Sequence, residues 1–252
     1  MHDIEMQEMS PEFFECWKAA YEHLNDQVDD GIQSWLRVHP YPPFLEHLSF
    51  RLGNQLFYIR IVDSDGKIQP PGSLQGLFMI AEATGGQACI LPMKRPYSVS
   101  PWVAEEPGWG LLDARTHKPV NPVVLVTQEL IEMTPWELQD MAVQVVRESI
   151  EDDGYELMSW QGNPEVDPSI WFVVKTKRPE WVVVRALRYP EDQASRPENW
   201  NELAERFMHA DLAGHFASVS VASIEQPFED EDEAPVPIWR GHGMHISYTG
   251  LE

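Results

Sequence analysis

The stretch TPWELQDMAVQVVRESIEDDGYELMSW, residues 134–160, decides how this chain is read. Thr134 is placed to N-cap a helix, Pro135 suits its first position, and Glu137 completes a capping box. In that box the cap hydroxyl and the carboxylate three residues on each accept a backbone N–H that the helix itself leaves unpaired. Leu138, Met141, Ala142 and Val145 recur at helical spacing, and Gly154 provides the stop. Beyond it, residues 155–160, 170–175 and 181–187 are short, aromatic or β-branched, and bounded by turn residues, which predicts three strands. A helix over 198–213 follows, with Trp200, Leu203, Ala204, Phe207 and Leu212 as its apolar face and Gly214 at its end. Residues 216–224 alternate as a strand, and 238–240 and 245–248 are expected as a closing hairpin or edge strand.

Upstream the signals are mixed. Ser10 and Pro11 open a helical pattern that carries Phe13, Phe14, Trp17, Ala20, Tyr21, Leu24 and Val28 toward residue 36, with Asp29-Asp30-Gly31 as a break and 32–38 as a second helical piece. Residues 39–43 (HPYPP) form an extended connector, because proline and the residue before it avoid helix. Strands are expected over 50–52 and 56–62, joined by the turn Gly53-Asn54. Two more are expected over 77–81 and 88–93, paired across residues 84–86. Residues 94–122 are rich in loop signals, and 123–126 (VVLV) predicts a short strand. The fold class is therefore α+β, in two mixed halves, 1–122 and 123–252. The sequence shows no repeat of fixed period.

Composition narrows the function classes. The chain has 252 residues with 43% hydrophobic content and ten tryptophans, enough for a sizeable core. Forty-one carboxylates face 18 Lys and Arg, a net charge of −23. Phosphate backbones are bound through Lys and Arg, so nucleic acid is not an expected partner. A basic or partly unfolded protein is. Cys16 and Cys89 make neither a disulfide framework nor a zinc spacing and read as small buried hydrophobes. No apolar run reaches bilayer length, and the acidic N-terminus lacks signal-peptide character, so a cytoplasmic protein with no membrane association is expected.

Short motifs offer little chemistry. Asp63-Ser64-Asp65-Gly66 has the opening of a calcium loop without its distal glutamate or flanking helices, and reads as a surface turn. His242 and His245 have H-x-x-H spacing, but Gly241 and Gly243 disfavour the helix that would align them, and no third ligand is evident. Gly72-Ser73-Leu74-Gln75-Gly76 sets its serine one place early for a nucleophile elbow. No metal or other cofactor is expected, and no enzyme class has its full set of parts.

Over residues 134–224 the order helix, three strands, helix, strand resembles the core of the restriction-endonuclease-like superfamily, the PD-(D/E)xK nucleases. The resemblance implies a divalent metal held by an acid opening the second strand and an acid-x-Lys on the third. Asp167 stands in the first position and Arg185 in the lysine position. Val183 then occupies the place of the second carboxylate, and Glu180 lies at the start of that strand. Asp167, Glu180 and Arg185 are thus the candidate catalytic residues of a degenerate site. The same order, with the extra strand near His245 and the acidic composition, also looks like the αβββαββα arrangement of small acidic secretion chaperones. That resemblance implies a homodimer that holds an extended, partly unfolded segment of a partner.

Alternation within the predicted strands sorts their faces. Ile170, Phe172, Val174, Val182, Val184 and Ala186 are expected against the helix that begins at Thr134. Trp171, Lys175, Trp181 and Arg185 then share the other face, an aromatic surface with two cations, and form the candidate binding site. The competing expectation is that the N-terminal half packs there. The function expected is a non-catalytic acidic interaction or chaperone-like module; the alternative is a metal-dependent nuclease-like hydrolase.

Overall fold

A computed structural model describes residues 9–97, 100–174, 178–208, 212–226, 228 and 235–252. The fold is α+β, divided into two compact units, 1–130 and 131–252.

In the first unit the elements run α1 (Pro11–Asn25), β1 (Trp35–Arg37), β2 (Leu48–Leu52), β3 (Gln55–Asp63), α2 (Leu74–Thr84), β4 (Gln87–Lys94), β5 (Val103–Ala104), β6 (Leu112–Asp113) and α3 (Pro122–Leu125). The sheet order is β1-β2-β3-β4-β5, with β6 also on β4. β1, β2 and β3 are antiparallel neighbours, β3 and β4 are parallel, and β5 and β6 run antiparallel to β4. Phe13, Cys16, Trp17, Ala20 and Leu24 of α1 close one face over Leu48, Phe50, Phe57, Ile59, Ile61, Cys89 and Leu91. Ser10 caps α1 through Phe13 N–H, and the turn Gly53-Asn54 closes β2 on β3, with Gly53 at φ 56°.

Three expectations are corrected here. Residues 77–81 are helical, inside α2, rather than a strand; Ser73 accepts from Gly76 N–H at one end and Gly85 ends the helix at φ 63°. A run such as Leu77-Phe78-Met79-Ile80-Ala81 suits a buried helix as well as a strand, and the caps decide it. The connection from β3 to β4 is therefore a helical crossover between parallel strands and not a hairpin. Residues 32–38 give strand β1, because α1 already stops at Asn25, whose side chain accepts from Ile32 N–H and turns the chain through Gly31. Residues 123–126 fall mainly in α3, capped by Asn121 with Pro122 at its first turn.

The second unit runs α4 (Pro135–Asp152), β7 (Glu156–Trp160), β8 (Ile170–Val173), β9 (Pro179–Arg188), α5 (Trp200–Met208), β10 (Gly214–Ser223) and β11 (Met244–Tyr248). Its sheet order is β7-β8-β9-β10-β11, antiparallel throughout except for the parallel pair β9 and β10. This is the topology of the first unit over again: helix, three meandering strands, crossover helix, parallel strand, returning edge strand. The interval from α1 at Pro11 to α4 at Pro135 equals that from β3 at Gln55 to β9 at Pro179.

The capping box at Thr134 forms with both of its bonds, and Gly154 takes φ 77° just after the helix. The buried face of α4 is Leu138, Ala142, Val143, Val146 and Ile150, turned slightly from the predicted Met141 and Val145. It packs on Ile170, Phe172, Val182 and Val184, with Val174 and Ala186 beside them, the face that strand alternation predicts. The opposite face carries Trp181, Val183 and Phe216, covered by Leu203, Trp200 and Phe207 of α5. Gly214 opens β10 instead of ending a helix: a Cβ there would stand 2.1 Å from the Trp181 ring. Ser218 and Ser220 also lie on this face, where they bond Ala194 N–H and Glu191 C=O of the segment leading to α5.

Candidate functional site

β9 is ten residues long and β8 only four, so the upper part of β9 has lost its neighbour on one side. An unpaired buried ladder group costs about 1–3 kcal/mol, and side chains supply the missing bonds. Ser169 Oγ accepts from Val184 N–H at 3.1 Å. Gln139, buried on α4, donates to Val184 C=O at 2.8 Å and accepts from Ala186 N–H at 3.0 Å. Arg185 completes the group. Its Nη1 donates to Val184 C=O at 2.9 Å and to Asp167 Oδ1 at 2.8 Å, while Nη2 donates to Asp167 Oδ2 at 2.5 Å. The Asp167 carboxylate is nearly enclosed, 9% exposed, and both its oxygens are taken by one guanidinium.

Asp167 and Arg185 are thus together, as a fork-to-fork ion pair closing the end of a sheet. Glu180 is not with them. Alternation turns it to the α4 face, where its Oε2 lies 2.7 Å from His215 Nε2. Val183 is fully buried beneath α5. Among the described residues no three His, Cys, Asp or Glu side chains stand together as a metal-binding group. His245 lies on β11 and His242 in the turn before it, so the two share no helix face. Asp63 accepts backbone N–H groups from Asp65, Lys67 and Ile68, which makes it the anchor of a turn.

Of the four candidate binding residues, Lys175 lies outside the described residues. Trp181 is 1% exposed, and Trp171 is half-buried edge-on to Phe207. α5, an element of the same unit, covers both rings. Beside Trp181 the cover is incomplete. A cavity of about 400 Å³ is lined by Pro179, Trp181, Trp200, Ala204, Leu212 and Gly214, among others. Trp181 Nε1–H is itself fully buried, with no acceptor among the described residues. Buried indole N–H groups ordinarily find one. Arg178 and Glu180 also line the cavity, so its wall combines aromatic and aliphatic surface with two charged residues.

Reasoning from sequence missed two further clusters. In the first unit His47 is buried, accepting at Nδ1 from Ile61 N–H and facing Pro71 C=O with Nε2 at 2.9 Å, which fixes the Nε2–H tautomer. Desolvation by burial pushes its pKa down to about 3, so it is neutral and structural. Arg60 beside it is held by the carbonyls of Pro70, Pro71 and Gly72. In the second unit Arg240 Nε and Nη2 donate to both oxygens of Glu137, so the capping-box acid also ties residue 240 to the start of α4. Neither pairing has a signal in local spacing. Cys16 and Cys89 are buried, and desolvation raises both thiols to about 12, which leaves them inert.

No curated protein and no solved structure matches the chain. Residues 136–252, nearly the whole of the second unit and none of the first, match one family model, described as a domain of unknown function, DUF8840.

Proposed function

We propose that this chain is a non-catalytic, chaperone-like interaction protein that holds a basic or partly unfolded polypeptide. The observation that carries the reading is the state of Asp167. The best-placed acid for metal chemistry is spent on Arg185, and the strand position that would need a second carboxylate is a buried valine. The charge of −23 supplies the attraction: long-range steering toward Lys- and Arg-rich chains, and repulsion of nucleic acid.

The test is a calorimetric titration of the full chain with an unstructured lysine-rich peptide and a glutamate-rich control, at about 0.1 M and about 1 M salt, where the screening length falls from roughly 10 to 3 Å. Binding of the lysine-rich peptide alone, weakening with salt, is expected. No binding at the lower salt, or equal binding of both peptides, contradicts the reading.

A further inference from the structure

The repeated topology gives the cavity beside Trp181 a reference within the same chain. His47 and Ser169 fix the comparison, since each stands just before the second strand of its meander, β2 or β8. Each donates its own N–H to the central strand, at Ile59 C=O and Val182 C=O. Each side chain also accepts from that strand, at Ile61 N–H and Val184 N–H. The interval from Ile61 to Val184 then carries Leu56 onto Pro179 and Tyr58 onto Trp181. It also carries the buried face of α2 onto that of α5, with Leu77 falling on Trp200, Ala81 on Ala204 and Thr84 on Phe207.

In the first unit this layer is closed. Leu56, Tyr58 and Ala81 are buried, and three residues, 85–87, join Thr84 to Ala88, the partner of Tyr58 on β4. In the second unit a proline stands in the place of the leucine, and Pro179 and Ala204 are only half-buried. Six residues, 208–213, join Phe207 to Gly214, the partner of Trp181 on β10. Leu212 and Ala213 of that longer connection stand in the wall of the cavity. An opening that the fold itself required would occur in both units; this one comes from changes particular to the second. Its volume of about 400 Å³ lies within the range of small-molecule pockets, roughly 300–1,000 Å³.

The wall selects the occupant. Pro179, Trp181, Trp200 and Leu212 present apolar and aromatic surface, which suits a ring. Of the two charged residues, Glu180 turns its carboxylate to the other face of the sheet, 2.7 Å from His215 Nε2. Arg178 is exposed and supplies the charge on the open side, and a guanidinium takes a carboxylate through two parallel bonds. The acidic surface opposes an anion only weakly at a distance, because salt at 0.1 M screens charges beyond about 10 Å.

We propose that this cavity binds a small molecule made of an apolar ring and one carboxylate, with the ring against Trp200 and Leu212 and the carboxylate on Arg178. The inference stands apart from the holding of a polypeptide and adds a small-molecule site to it.

The experiment titrates the full chain with 3-phenylpropionate, 3-phenylpropanol and 3-phenylpropylamine, probes that share a ring and differ in charge. Binding is followed by calorimetry and by the backbone amide resonances. The acid should bind about tenfold or more tighter than the alcohol, the worth of a charge-assisted bond. It should shift the amides of Trp200, Ala204 and Leu212, and Arg178→Gln should remove its advantage. Ala204→Leu fills the cavity and should abolish binding; should that variant fail to fold, the location of the shifts in the wild type decides alone. No shift at those amides with any probe up to millimolar concentration overturns the proposal, as does an alcohol or amine that binds as well as the acid. If the lysine-rich peptide shifts these amides and the acid does not, the cavity belongs to the polypeptide: this inference fails and the proposed function stands.

Discussion

Asp167 and Arg185 illustrate how one residue pair separates two readings. A carboxylate free to bind metal and a carboxylate closing a sheet end look alike in sequence; the partner decides. Removing the acid leaves a largely buried guanidinium short of two charge-assisted bonds. Asp167→Ala should therefore lower stability by about 1.5–3 kcal/mol, the range for hydrogen bonds between charged groups, read from urea denaturation midpoints. Asp167→Ala combined with Arg185→Met should cost less than the sum of the single changes, since the second removes the stranded charge.

His47 gives a pH signature at the same scale. It is neutral in the folded protein with its pKa depressed to about 3, against an ordinary histidine value in the unfolded chain. Between those values the unfolded state binds the extra proton, so stability from this residue is fully present above about pH 6.5 and is lost as pH falls toward 3. Denaturation midpoints should fall across that window, and His47→Gln should flatten the part of the slope due to this one proton. An unchanged slope in a folded variant would contradict the assignment. Gly214→Ala tests the close approach under Trp181. The added methyl has no room, and overpacking of this kind costs about 1–3 kcal/mol, measurable by the same denaturation series.

Among elements, those whose end signals and apolar period agreed over several turns were legible, and short apolar runs were not. Thr134, Pro135, Glu137 and Gly154 marked α4 at both ends, and alternation sorted the faces of β8 and β9 correctly. α2 was misread because its apolar run is short enough to suit a strand, although Ser73 and Gly85 stood at its two ends. The pairing of Asp167 with Arg185 could not be read, because it depends on β8 stopping short of β9. The capping box itself predicts a number. Thr134→Ala should cost about 1 kcal/mol. Glu137→Ala should cost more, because it also strands Arg240 in the interior.

At the scale of the whole molecule, the repeated topology was invisible in sequence. The two units fill the same places with different side chains: Phe57, Ile59 and Ile61 of β3 face α1 where Val182 and Val184 of β9 face α4. Topology is set by the order of elements and the crossover between parallel strands, and many sequences satisfy it. Each unit has its own core, so residues 131–252 expressed alone should unfold cooperatively, and limited proteolysis of the full chain should release a resistant fragment starting near Ile131.

The central claim is that Asp167 serves the fold and that the protein binds without cutting. The most direct measurement compares wild type and Asp167→Ala incubated with DNA and RNA in magnesium or manganese, following product by gel. No metal-dependent cleavage by either protein is predicted. Cleavage by the wild type that disappears in Asp167→Ala, with the variant still folded, would contradict the account.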